Sequence, residues 1–201
     1  MSGAPTSGDD RPGGAPPDAE ALARAGWSEA ELTWEQVEET AAEALIGGDW
    51  QEAASLWAVG LDLARTTFET ADPRLATSLA NQAVALRRAG KDAAAGQLFD
   101  EALAVWARSG RWVLALAPER RARSSTYHLR LETRYPGGYD RHARDRYTAL
   151  AEEGLSAVRA LKDGGRAPRG ALARWQTERP AGYVDARKLL AAVLLLADPA
   201  R

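Results

Sequence analysis

Residues 48–61 read GDWQEAASLWAVGL, and residues 90–103 read GKDAAAGQLFDEAL. Laid over one another at a shift of 42, they place Gly48 on Gly90, Ala53 on Ala95, Leu56 on Leu98, Trp57 on Phe99 and Leu61 on Leu103. The flanking segment follows the same shift, with Ala41 falling on Ala83. Self-similarity at a fixed period marks a helical repeat. Each position has a physical use. The glycine closes the turn between paired helices. The alanines let two helices approach closely, and the aromatic and leucine positions fill the seam to the next unit.

Outward from this core the chain reads as helix after helix. No stretch shows strand-like alternation, and the β-branched residues are scattered. Thr33-Trp34-Glu35-Gln36 fits a capping box and predicts a helix to about Ile46, stopped by Gly47-Gly48. A second helix is expected from about Trp50 to Thr70. Asp72-Pro73 supplies an N-cap followed by proline at the first helical position, and that helix runs to Gly90. The next covers about Asp92 to Ser109. The two units therefore span about 34–70 and 73–109.

Upstream, Asp18 to Ala25 suits a short capping helix ended by Gly26. Residues 1–17 carry four prolines and four glycines without an aromatic or β-branched aliphatic residue, which predicts a disordered tail. Beyond Gly110 the repeat fades into a divergent helical region, 111–201. Pro118 starts a predicted helix to about Arg134, Tyr135-Pro136-Gly137-Gly138-Tyr139 is a turn, and a helix follows over about 141–161. This pair reads as a degenerate third repeat or as unrelated helices. Shorter helices are predicted over 170–178 and 184–197. Leu189 to Ala197 is apolar throughout. Nine residues cannot cross a bilayer, so this helix belongs in a core or an interface. We read it as a cap packed inside the fold, with a partner-binding or homo-oligomerising helix as the alternative.

Both opening stretches resemble the second helices of tetratricopeptide repeats. DPRLATSLANQAVALRRAG, residues 72–90, resembles the first helix of the 42-residue subtype seen in kinesin-light-chain-like bacterial proteins. The resemblance covers about 34–108 and implies an all-α, right-handed stack of antiparallel helix pairs. It departs from the pattern at Gly60, where alanine is usual. By resemblance the first helices line a concave groove that receives a peptide or a partner helix. In the second unit the lining would be Thr77, Ala80, Asn81, Val84, Arg87 and Arg88; the 42-residue shift gives Glu35, Glu38, Glu39, Ala42, Leu45 and Ile46 in the first. Asn81 matches the asparagine that related repeats often use to hold a peptide backbone. Glu35 and Glu39 stand where a chaperone-tail clamp needs lysine and asparagine, and two carboxylates there would repel a C-terminal carboxylate.

Composition narrows the function further. The chain has 201 residues, no cysteine and two histidines, His128 and His142. That excludes a disulfide framework, thiolate metal sites and a cysteine nucleophile, and leaves little for histidine chemistry. Two histidines without a carboxylate cluster make a poor metal site, so neither metal nor cofactor is expected. No glycine-rich phosphate loop or serine-elbow motif is present. Glu152 and Glu153 are adjacent and diverge on a helix, which disfavours acid–base work. The N-terminus lacks the basic start and apolar run of a secretory signal, so the expected location is cytoplasmic.

The net charge of −2 hides a gradient. Residues 1–52 carry net −10, residues 53–110 net 0 and residues 111–201 net +8. Such polarity marks interaction surfaces. The expected function is a non-catalytic adaptor, scaffold or assembly factor that binds a protein segment of bipolar charge in the groove. The alternative is a regulator or RNA- or anion-binding factor using an Arg/Tyr-rich hairpin over 120–147, through Arg130, Arg134, Tyr139, Arg141 and Arg144. The acidic first quarter disfavours general nucleic-acid binding.

Overall fold

The structure, a computed structural model, describes residues 20, 23, 26–116, 138–165, 170 and 184–197. Among these residues the chain is all helical: α1 Glu29–Gly47, α2 Trp50–Thr67, α3 Pro73–Arg88, α4 Asp92–Arg108, α5 Gly110–Ala115, α6 Gly138–Lys162 and α7 Val184–Leu194. Consecutive helices pack together from α1 to α4; α6 packs on α4, and α7 packs on α3 and α6. Two-residue connections after α1 and short ones after α3 make α1–α2 and α3–α4 antiparallel hairpins.

The turns of these hairpins are alike in atomic detail. Gly48 has φ 85° and Gly90 has φ 73°, a left-handed conformation that favours glycine. The Asp49 N–H donates to the Ala44 carbonyl at 2.9 Å, and the Lys91 N–H donates to the Leu86 carbonyl at 2.9 Å. These bonds are related by the 42-residue shift. The burial pattern follows the same register. Ala41, Ala83, Ala53, Ala95 and Phe99 are fully covered, and Trp57 nearly so. Leu56 and Leu98 are both half-buried.

Several boundaries differ from expectation. α1 starts at Glu29, not Thr33. Its capping box is Ser28 with Glu31: the Glu31 N–H donates to the Ser28 hydroxyl oxygen at 3.2 Å, and the Ser28 N–H donates to the Glu31 carboxylate at 2.8 Å. A carboxylate at the third position also meets the positive end of the helix dipole, which the Thr33–Gln36 box lacks. Thr33 sits one turn inside and donates to the Glu29 carbonyl at 2.8 Å. α2 ends at Thr67 because Phe68 turns extended and inward. Its ring meets Trp34 edge-on at 5.2 Å and lies 4.0 Å beneath the Arg74 guanidinium.

α5 is a short helix, Gly110–Ala115, directly after the second unit. α6 begins three residues before the expected start at 141. The expected tail over 1–17, the helix over 118–134 and the helix over 170–178 lie outside the described residues, Gly170 apart. α7 is three residues shorter than expected: Leu195, Leu196 and Ala197 leave the helix. Its apolar run is core, with Leu189, Leu190, Ala191, Ala192 and Val193 all buried. The chain itself covers most of this run, with Leu194 and Leu195 half-buried. No described helix is long and apolar enough to cross a membrane.

Candidate interaction site

Of the groove-lining positions expected from sequence, Glu38 of α1 meets Asn81 of α3 directly, and Glu35, Thr77 and Asn81 meet the segment that begins with α7. They are not open to solvent. Glu35, Glu38, Leu45, Thr77, Ala80, Asn81 and Val84 are buried, with Ala42 and Arg87 half-buried, and the α7 segment contacts Glu35, Thr77 and Asn81 among them. Of the twelve expected lining residues, Glu39, Ile46 and Arg88 stay exposed. The expectation that these side chains line an open groove is therefore corrected. A later element supplies the cover that sequence periodicity could not assign.

α7 is held at three levels. At its start Arg187 forms an ion pair with Glu35, and the Lys188 ammonium lies 2.8 Å from Glu31. Midway the Thr77 hydroxyl donates to the Ala192 carbonyl at 2.6 Å. At its end the Asn81 carboxamide grips the backbone twice. Nδ2 donates to the Leu195 carbonyl at 2.9 Å, and Oδ1 accepts from the Ala197 N–H at 2.8 Å. A continuing helix would use those two backbone groups itself, so their capture explains why α7 stops early.

Behind Asn81 lies a buried polar chain. Trp34 Nε1 donates to the Ser78 hydroxyl oxygen at 2.7 Å. The Ser78 hydroxyl donates to Glu38 Oε1 at 2.6 Å, and Asn81 Nδ2 donates to Glu38 Oε2 at 2.8 Å. Glu38 is fully buried and forms no ion pair among the described residues. Burial pushes its carboxyl up to about 7, with the Ser78 and Asn81 hydrogen bonds holding the rise back. The departure at Gly60 finds its cause here: a Cβ at that position would stand 2.6 Å from Glu38 Oε1. On the rim, desolvation and the Glu35 charge raise the Glu39 carboxyl.

The α1 end of the site is fully ionic. Arg74 is buried and grips its own helix cap, with Nη2 2.7 Å from Asp72 Oδ2 and Nη1 2.9 Å from Glu31 Oε1. Burial alone would raise the Glu31 carboxyl. The Lys188 hydrogen bond, the Ser28 N–H and the Arg74 charge outweigh it and bring Glu31 down to about 2. At the other end Arg87 is committed to α6, donating to the Leu161 and Lys162 carbonyls at 2.6 Å each, with its guanidinium 4.7 Å from the Phe99 ring centroid. Arg88 lies 3.8 Å over the Trp50 ring. The expected bipolar groove is thus reduced to Glu39 at one end and Arg88 at the other.

The alternative anion site is not assembled by the described residues. Arg130 and Arg134 lie outside them. Tyr139 and Arg141 fall in the first turn of α6, with Arg141 exposed. Arg144 donates to the Leu114 carbonyl and is spent on that tether. Among the described residues no group of three or more His, Asp and Glu is placed to hold a metal ion.

Reading the sequence missed Glu31, Arg74 and Ser78, and above all Arg187 and Lys188. The signal for the last two was present: a basic pair directly before the apolar run, in a chain whose first helix is acidic. No family model, curated protein or solved structure matches the chain.

Proposed function

We propose that the protein is a non-catalytic interaction module of two tetratricopeptide-type units, acting as an adaptor or assembly factor for a partner protein. The observation that supports this most is the Asn81 clamp. A side-chain amide on the inner face of α3 holds one backbone carbonyl and one backbone N–H of a segment lying across α1 and α3. That is the chemistry of peptide recognition, independent of side-chain identity. The equivalent turns and burial of the two hairpins support the repeat reading. Buried Glu38 does not suggest catalysis, because it faces Gly60, Ser78 and Asn81, not a cleft.

The test is a pull-down from the source organism with the full chain as bait, read by mass spectrometry, beside the rim variant Ile46→Asp with Arg88→Glu. Both positions are exposed, so the fold should keep its circular dichroism and melting temperature. A defined protein retained by the wild type and lost by the variant supports the reading. No saturable protein partner, or a partner held equally by both, overturns it.

A further inference from the structure

α7 behaves toward α1 and α3 as a ligand behaves toward a receptor. Its polar anchoring divides into two classes. Thr77 and Asn81 engage main-chain groups: the carbonyls of Ala192 and Leu195 and the N–H of Ala197. Any chain with the same backbone path satisfies these contacts. Glu35 and Glu31 engage the side chains of Arg187 and Lys188, and these contacts select for charge. Between them Leu189, Ala192 and Val193 are buried where α7 packs on α3 and α6, which selects for small and branched apolar residues.

The receptor surface thus carries its own specificity. It asks for a basic pair at the start of a helix, two turns of small or branched apolar residues, and then a non-helical turn offering a carbonyl and an N–H two residues apart. The 21 residues 163–183 connect α6 to this segment. Because the segment belongs to the same chain, its binding is intramolecular and competes ahead of a like segment in trans.

We propose that residues 184–197 are an internal pseudo-ligand occupying the recognition groove, and that the external partner presents a helix of this same basic-headed, apolar pattern, which binds by displacing them. This deepens the interaction-module reading and rests on it for the existence of the external partner.

The test uses the full chain and a fluorescent synthetic peptide of residues 184–197 as probe, read by anisotropy. Wild type should bind the probe weakly. Arg187→Glu with Lys188→Glu turns the internal copy against Glu35 and Glu31 while leaving the groove untouched. That variant should bind the probe at least about tenfold more tightly, each 1.4 kcal/mol of lost internal affinity being worth a factor of ten. Adding Asn81→Ala should remove most of the gain. A reversed variant that folds, by circular dichroism, but binds no better than wild type makes α7 a fixed core helix and overturns the proposal.

Hydrogen exchange on the wild type decides the matter even if that variant does not fold. Amides of 189–194 should open below the global unfolding limit while those of α3 do not. Equal protection in both helices overturns the proposal. Failure of the interaction reading looks different: the reversed chain takes the probe, yet wild type and reversed chain alike capture no protein from the organism.

Discussion

Glu38→Gln isolates the energetic consequence of a lone buried carboxylate. In the folded chain its carboxyl titrates at about 7, against 4.5 for an unburied carboxyl. Between those pH values the unfolded chain has released the proton and the folded chain retains it. The folded state therefore binds more protons, and its stability falls as pH rises from about 4.5 through about 7, then levels off. At 1.36 kcal/mol per unit, the loss amounts to about 3 kcal/mol. Glutamine keeps the shape and the neutral hydrogen bonds. Its amide N–H can donate to the Ser78 oxygen, which has a second lone pair beside the Trp34 N–H, and its carbonyl can accept from Asn81.

The variant should match wild type near pH 4.5 and exceed it by about 3 kcal/mol at pH 8. Urea unfolding of both proteins at half-unit pH steps measures this. Taking the difference between the two cancels the titration of every other group. A difference that does not change with pH, or one that favours wild type at pH 8, refutes the reasoning. The first result would mean that water or an uncharted cation reaches Glu38; the second, that its ionised form is what the Ser78–Asn81 pair is built to hold.

Three further outcomes are expected. Gly60→Ala should cost about 1–3 kcal/mol by chemical denaturation, because its methyl would stand 2.6 Å from Glu38 Oε1, and Glu38→Ala in the same chain should remove most of that cost. Ala95→Leu should cost about 1–3 kcal/mol, whereas Ala104→Leu should cost less. Ala95 is fully covered, and Ala104 borders a cavity of about 210 Å³ between α2, α3 and α4. Glu31, held down at about 2 by Lys188, Ser28 and Arg74 against its own burial, stabilises the fold above pH 4.5, and that contribution fades as pH falls from there toward 2. Lys188→Met should raise the midpoint of acid unfolding followed by circular dichroism; an unchanged midpoint would show that Lys188 does not contribute to holding Glu31 ionised.

What was legible in the chain, and what was not, divides along a physical line. Turn chemistry is local, so Gly48, Asp72-Pro73 and Gly90 fixed three helix boundaries from sequence, and the 42-residue register foresaw which alanines and aromatics are covered. The start of α1 was missed because two boxes, Ser28–Glu31 and Thr33–Gln36, compete within one turn and a half. The larger miss concerns partners remote in sequence. Glu38 and Asn81 read as lining an open groove for an outside ligand, since a helix pattern identifies a face without naming what lies on it. Each is the other's partner, 43 residues apart, and both sit under a segment more than 100 residues further on.

The charge gradient, −10 in the first quarter against +8 in the last 91 residues, was assigned to an outside ligand. Within the described residues part of it closes internally. The acids Glu31 and Glu35 of α1 meet Lys188 and Arg187 of α7, and Lys162 of α6 meets Asp100 of α4 at 2.6 Å. An external bipolar ligand and the chain's own C-terminal helix leave the same trace in the sequence, because the acidic first helix answers either one with the same carboxylates. They separate only when the cover is lifted. The groove meets its cover through ion pairs at Glu31 and Glu35, through buried apolar residues, and through main-chain contacts at Thr77 and Asn81 that any chain on the same path would satisfy. Under the proposal that the groove also accepts a second sequence, exchange between the two is governed by the acidic pair at its mouth, Glu31 and Glu35.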